Sequence, residues 1–236
     1  MNAPRTARAR ARIELTREIL ASARRQLGEA GAAGLSLRSV ARELGMASSA
    51  VYRYFASRDE LLTALLVECY GEVGDAAVGA DDPEAAPGER WLAVWRGVRE
   101  WSLANRHEYA LLFGTPVPGY AAPHLTAEVA ARMPLTLARI AGDAKAAGLL
   151  DPPPGPSCDP AAITPEMLVL LEGMAFTVDE TARLILAWNR LVAIIGYELH
   201  GHLVGVTADD TAFFDYAARV EAANSGIPVP GPGETR

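Results

Sequence analysis

The stretch SLRSVARELGMASSAVYRYFASRDELL, residues 36–62, decides the reading of this 236-residue chain. It reads as two short helices joined by a tight turn, followed by the start of a third, buttressing helix. In the frame that begins at Leu37, the fifth place is Ala41 and the ninth is Gly45. Both must be small: the helices cross closely at one, and the turn at the other needs a backbone conformation that glycine adopts cheaply. Val40, Leu44, Met46, Val51 and Tyr54 are the apolar places, spaced as the inward faces of two short helices. Arg38, Ser48, Ser49, Tyr52 and Arg53 form the polar remainder, a set able to enter a DNA groove. Ser57 with Glu60 makes a capping box for the helix that follows.

Charge is distributed to match. The chain as a whole carries −7, which averaged over its length would argue against nucleic acid. Residues 1–60, however, hold eleven arginines against six acids, a net +5, and the remainder holds eleven basic against twenty-three acidic residues, a net −12. A basic head on an acidic body suits a DNA reader joined to a domain that does not touch phosphate. A hydrophobic share of 50% is ample for a buried core. Cys69 and Cys158 have neither metal nor redox spacing, which fits a reduced, cytoplasmic setting. The basic N-terminus lacks the apolar run of a secretory signal, and the most apolar late stretch is broken by charges, so no membrane span is expected.

Along the chain, MNAPRTARARARI reads as a basic arm with arginines at 5, 8, 10 and 12, either a solvated terminus or a strand laid along or into a minor groove. A first helix is expected over about 12–30, the second from the Ser36 cap to Gly45, and the third over about 48–55. A fourth runs to about Val78, a fifth over 89–105, a short sixth over 107–113, and a seventh over 125–148, bent or restarted near Pro134. Helices eight and nine cover about 165–176 and 179–203, and a last one lies near 208–224. With no convincing strands, the fold class is all-α. The domain reading is a DNA-binding head at 1–60, an effector-binding and dimerisation domain at 61–225, and a disordered tail at 226–236.

The run GMASSAVYRYFASRDELL at 45–62, with the helix before it, resembles the tetracycline-repressor (TetR) family of bacterial transcription regulators. FGTPVPGY at 113–120 resembles the C-terminal domain of one branch of that family. Two departures stand out. Ala47 occupies the usual cap of the recognition helix, so Ser48 or Ser49 is expected to take that role. Arg58 replaces a usual lysine and keeps its charge. The resemblance implies that Arg38 reads a guanine edge, a contact worth about 1–3 kcal/mol of discrimination. It also implies that Ser48, Ser49 and Tyr52 face the groove, that Tyr54 and Arg58 hold phosphates, and that Arg53 does either.

The same resemblance implies a homodimer through helices eight and nine, the ninth being apolar nearly all round from Leu184 to Leu199. A symmetric pair reads two half-sites of a palindromic double-stranded operator about 34–36 Å apart. It implies an apolar cavity for a small effector, for which Trp91, Trp95, Trp101, His107, Tyr109, Phe113, Met133, Met174, Phe176 and Trp188 are the candidate lining, with His107 as its polar contact. Each of these is also a plausible core residue. His200, His202 and Glu198 do not form a metal site, because positions two apart lie on different sides of a helix. No catalytic set, cofactor motif or phosphate-binding loop is present. The reading is therefore a dimeric, ligand-responsive repressor, with a small-molecule sequestering protein that keeps a degenerate head as the alternative.

Overall fold

The computed structural model describes residues 7–123 and 125–229. Among these residues there are eleven α-helices and no strand, so the all-α expectation holds. The helices are α1 (Ala7–Ala30), α2 (Leu37–Glu43), α3 (Ser48–Val51), α4 (Arg58–Ala80), α5 (Pro87–Ala104), α6 (Arg106–Phe113), α7 (Leu125–Ala130), α8 (Arg132–Ala146), α9 (Pro165–Leu171), α10 (Val178–Leu199) and α11 (Asp210–Asn224). The described chain forms two compact units. One draws on Met1–Glu72 and Asn105–Ala130, the other on Val73–Ala104 and Ala131–Arg236.

The first unit is the head. Its core gathers Ile19, Ala23 and Leu27 from α1, Val40 and Ala41 from α2, Val51 from α3, and Leu61, Leu62 and Leu65 from α4. The Ser36 Oγ accepts from the Ser39 N–H at 3.4 Å and caps α2, while the Ser36 N–H donates to the buried Gln26 side chain at 3.1 Å. Gly45 closes α2 at φ 64°, and the Met46 N–H returns to the Ala41 carbonyl at 2.8 Å. This is the left-handed helix ending that favours glycine. Leu111, Leu112, Val117 and Tyr120, from α6 and the loop after it, also pack on this core.

Four expectations are corrected here. Residues 8–12 are not an arm but the opening turns of α1; Arg5 lies outside the described residues. The α-helix of the recognition element spans only Ser48–Val51. Its hydrogen bonding tightens beyond that, with Arg53 N–H to Ala50 O at 3.3 Å and Tyr54 N–H to Val51 O at 2.9 Å. Neither Ser48 nor Ser49 caps it: both are already helical, and the N-cap is Ala47 at φ −64°, ψ 136°, with no side-chain acceptor. The expected disordered tail is ordered at its start, since Ile227 is 1% exposed and its N–H reaches the Ala222 carbonyl at 2.8 Å. The remaining tail, from 230, lies outside the described residues.

In the second unit the Trp91 and Trp95 rings stack at 6.1 Å, Trp95 meets Phe214 at 5.7 Å, and the Trp91 indole N–H donates to the Ala218 carbonyl at 3.1 Å. Of the two expectations for the seventh helix, bent or restarted near Pro134, the restart is what occurs: α7 ends at Ala130 and α8 begins at Arg132. Pro134 then falls in the first turn of α8, where its missing N–H has no helical partner to lose. A full capping box opens α10: the Thr177 side chain accepts from the Glu180 N–H and the Glu180 carboxylate accepts from the Thr177 N–H at 2.6 Å. The helix stops at Leu199, short of the expected 203, with Gly201 at φ 75° just beyond.

The empty cap at Ala47 yields a stability prediction. Ala47→Ser supplies the missing acceptor and is expected to stabilise the head by about 1 kcal/mol, measured by urea unfolding. An unchanged midpoint would show that the α3 N-terminus gains nothing from a side-chain cap.

Candidate nucleic-acid interface

The reading face is built from the N-terminal half of α2, from α3 with the turn after it, and from the start of α4. A shallow groove of about 440 Å³ runs between Leu35, Ser36, Leu37, Arg38, Tyr52, Ala56, Ser57 and Arg58. It brings together three of the seven expected contact residues: Arg38, Tyr52 and Arg58. Ser48, Ser49 and Arg53 are exposed beside it, and Tyr54 is half-buried. Arg38 and Arg53 have no ion pair or hydrogen bond among the described residues, so their guanidinium donors face solvent.

Arg58 differs. Its Nε donates to the Leu35 carbonyl at 3.2 Å and its Nη2 to the Ala32 and Ala33 carbonyls at 2.8 and 3.4 Å. Those bonds tie α4 to the connector between α1 and α2, so the charge expected at a phosphate also braces the fold. Glu60, two residues on, accepts from the Ala56 N–H at 2.8 Å and its own N–H donates to the Ser57 Oγ at 3.1 Å. This is the expected capping chemistry, with the carboxylate reaching one residue further back.

A contact that sequence reasoning missed lies at Arg12, whose guanidinium carbon stands 5.2 Å from the centre of the Tyr54 ring. Counting back seven residues from the buried Ile19 places Arg12 on the same helix face; the signal was hidden because residues 8–12 read as an arm. Further along α1, Ser22 Oγ donates to Glu43 at 2.6 Å and Arg25 Nε does the same at 2.6 Å. The Ser22 hydroxyl and the Arg25 guanidinium hold the Glu43 carboxyl below the usual range. Arg24 binds Glu72 at 2.5 and 3.1 Å and Glu68 at 3.2 Å, with Glu108 of α6 at 3.8 Å. Burial works against the Arg24 charge, but Glu72 and its neighbours more than offset it and raise its pKa. Cys69 is fully enclosed, and burial pushes its thiol up to about 12.

The ten expected effector-lining residues do not fall in one unit. His107, Tyr109 and Phe113 belong to the head. His107 lies against Gly28 of α1, Tyr109 is buried, and Phe113 meets Tyr109 at 5.2 Å and Tyr70 at 6.2 Å. The other seven are in the second unit. Trp91, Trp95 and Met133 are fully buried core; Trp101, Met174 and Trp188 are half-buried. Phe176, beneath the Lys145 ammonium at 5.6 Å, lines a groove of about 430 Å³ with Leu168, Val169, Leu171, Ala175, Val178 and Thr181. The indole N–H groups of Trp95 and Trp188 are buried without a partner.

Arginines that the sequence did not single out knit the second unit. Arg90 lies between Asp81, at 2.7 and 3.1 Å, and Asp143, at 2.8 Å. Arg99 joins Glu198 at 2.6 and 2.8 Å to Thr211 at 3.1 Å. Arg96 forks onto Asp215 at 2.7 and 2.8 Å and, chiefly through those hydrogen bonds, lowers its pKa. A carboxyl lowered in the folded state adds stability above its unfolded pKa and loses it as pH falls through the folded value. Arg96→Ala is therefore expected to cost less than about 1 kcal/mol at pH 7, because the pair is partly exposed, and to flatten the loss of stability below about pH 4. Urea unfolding across pH 3–7 checks this; parallel curves for the two proteins would refute it.

Among the described residues no helix is long and apolar enough to cross a membrane. The family model described as "Bacterial regulatory proteins, tetR family" matches residues 19–65, and "Tetracyclin repressor-like, C-terminal domain" matches residues 91–220. The HTH-type transcriptional regulator Rv1816 of Mycobacterium tuberculosis is 51% identical over 128 residues, which are 52% of this chain and 54% of that protein. The chain thus spans about half the length of the curated relatives it matches. The solved regulatory protein SCO4313 is 30% identical, with a TM-score of 0.68 covering 92% of this chain and 98% of its own. A tetR-family regulator from Rhodococcus RHA1, at 17% identity and a TM-score of 0.63 over 90% and 97% of the two chains, shares the fold. With its reading head and its C-terminal region both matched, the chain belongs to the tetR family of bacterial transcriptional regulators.

Proposed function

We propose that the chain is a homodimeric repressor whose paired heads bind a palindromic operator and are released by a small apolar or aromatic effector held in the second unit. The observation that carries the DNA reading is the groove that sets Arg38 beside Tyr52, with Arg38 and Arg53 unpaired among the described residues and residues 1–60 carrying a net charge of +5. A planar guanidinium at Arg38 has the fork to bond guanine O6 and N7 together. Ser48, Ser49 and Tyr52 reach the groove beside it, and Arg53 and Tyr54 fix register on the phosphates. Arg58 acts first as a brace, because its donors already serve three backbone carbonyls.

Dimerisation is supported by apolar side chains left in solvent on two helices in contact. On α10, Leu186 and Tyr197 lie on one stripe with Ala193; on α11, Phe213 and Tyr216 lie one turn apart. Leu186 is 61% and Tyr216 63% exposed, more than a folded surface leaves open at neighbouring sites without cause. This keeps the ninth helix of the sequence count, which is α10, in the proposed interface and puts α11 in the place of the eighth. Effector binding then lowers operator affinity by a coupling of about 1–3 kcal/mol, roughly 5–150-fold. The apolar groove beside Phe176 favours an effector with a hydrophobic body.

Footprinting on the region upstream of its own gene, extended by genome-wide mapping of bound DNA, tests the operator reading. Salt-sensitive protection of a palindrome is expected, and Arg38→Ala should weaken it by about 1–3 kcal/mol for each half-site, roughly 5–150-fold. Absence of any palindrome-dependent binding would sink it. For the dimer, Leu186→Glu should convert a dimer to a monomer in sedimentation equilibrium; a wild-type monomer, or a variant that stays dimeric, refutes the interface.

A further inference from the structure

We propose that the arginine-bearing start of α1 is a separate DNA-contacting surface, one that grips backbone phosphates beside the reading helix and does not enter a groove. This rests on the head being a duplex-DNA binder. Residues 7–13 contain Arg8, Arg10 and Arg12 and no acid, and they are helical from Ala7. Ile19 is fully buried whereas Arg12, two turns earlier on the same face, is exposed, so α1 has run past the edge of the head core by that point. There the Arg12 guanidinium lies over the Tyr54 ring at 5.2 Å, two residues beyond Tyr52 in the turn that ends the reading element. The ring holds Arg12 next to the reading face without neutralising it. Arg10 is exposed and has no partner among the described residues. The first acid along the helix, Glu14, faces Arg17 at 3.7 Å.

Helical backbone decides the mode of contact. A helix with its side chains is about 10–12 Å across. The minor groove is about 6 Å wide, so this segment cannot lie on its floor as an extended arm does. The major groove is taken by the reading helix itself, so phosphate oxygens remain, and the guanidinium fork matches them. Arg12 is thus a binding residue, and Tyr54 the positioning residue that aims it.

The test titrates a fluorescent mixed-sequence duplex with the full chain across a salt series. Each phosphate contact contributes about 0.9 to the slope of log affinity against log salt, so Arg10→Ala with Arg12→Ala should lower the slope by about 1.8 for each bound head. Lysine at both positions should restore it. Tyr54→Leu, which removes the ring over which Arg12 lies, should lower it by about 0.9 for each bound head. Filling the minor groove with netropsin should leave the difference between wild type and the double alanine variant intact. Equal slopes for those two proteins, or a difference that netropsin abolishes, overturns the inference while leaving the DNA reading in place. Wild-type protein without salt-dependent duplex binding would remove both. Thermal unfolding of the double variant, expected to match wild type because both side chains are exposed, guards against a folding artefact.

Discussion

The close crossing of α2 over α3 is the constraint on which the rest of the head depends. Ala41 is 1% exposed beneath that crossing, and any larger side chain there would push the two backbones apart. Gly45 turns the chain between the helices at φ 64°, a conformation that costs an L-residue with a Cβ. Once the crossing is set, Val40 and Val51 point into the core filled by Ile19, Leu61 and Leu65, and their polar neighbours necessarily face out. Arg38 and Tyr52 share one groove because the residues between them are consumed by the turn and the core. Reading chemistry is here a by-product of packing geometry.

Arginine pairing separates a structural role from a reading role. Arg24 and Arg25 on the inner side of α1 meet Glu68, Glu72 and Glu43, and Arg90, Arg96 and Arg99 of α5 each meet a carboxylate. These charges are spent on holding helices together, and removing one partner from a pair as enclosed as Arg90 and Asp81 leaves an uncompensated buried charge. Arg38 and Arg53 have no such partner, and the head keeps them in water. A polyanion is the partner that rewards unpaired guanidinium groups on such a face, because neutralising its phosphates releases condensed counterions. Arg58 lies between the two classes: its charge faces the groove, but its donors serve the connector.

How much of this was legible in the sequence follows from the range of the interactions involved. The helix-turn-helix could be read because its determinants lie within about two turns of one another, where small, apolar and polar places alternate with helical period. The Ser36 and Ser57 caps were legible for the same reason. Ala47 misled because the neighbouring serines look like caps, yet the extended residue that precedes the helix, and not the nearest hydroxyl, takes the N-cap. Arg12 was hidden because its partner, Tyr54, is distant in sequence. The proline- and glycine-rich tail concealed Ile227, whose single side chain finds a buried site that no local pattern announces. The effector-lining set was drawn from composition, and composition does not say that the chain returns to the head at residue 105.

That return changes what the head is. The family model for the C-terminal domain begins at residue 91, yet the described residues of 105–130 belong to one compact unit with those of 7–72. Tyr109 is 3% exposed, Glu108 joins the Arg24 cluster, and His107 closes against Gly28 so tightly that a Cβ there would stand 3.3 Å from the ring. Tyr120 then shares a hydrogen bond with Thr63 on α4 at 2.8 Å, and Tyr70 donates to the Leu112 carbonyl at 3.4 Å. A fragment ending at residue 72 would uncover Leu62, Leu65 and their neighbours where Leu111, Leu112, Val117 and Tyr120 now rest. At about 25 cal/mol for each Å² of apolar surface, even a modest loss of that cover matters to a unit this small. The head is therefore a discontinuous unit, and substitutions in 105–123 can alter how α1 and α4 hold α3 from outside the proposed DNA contacts.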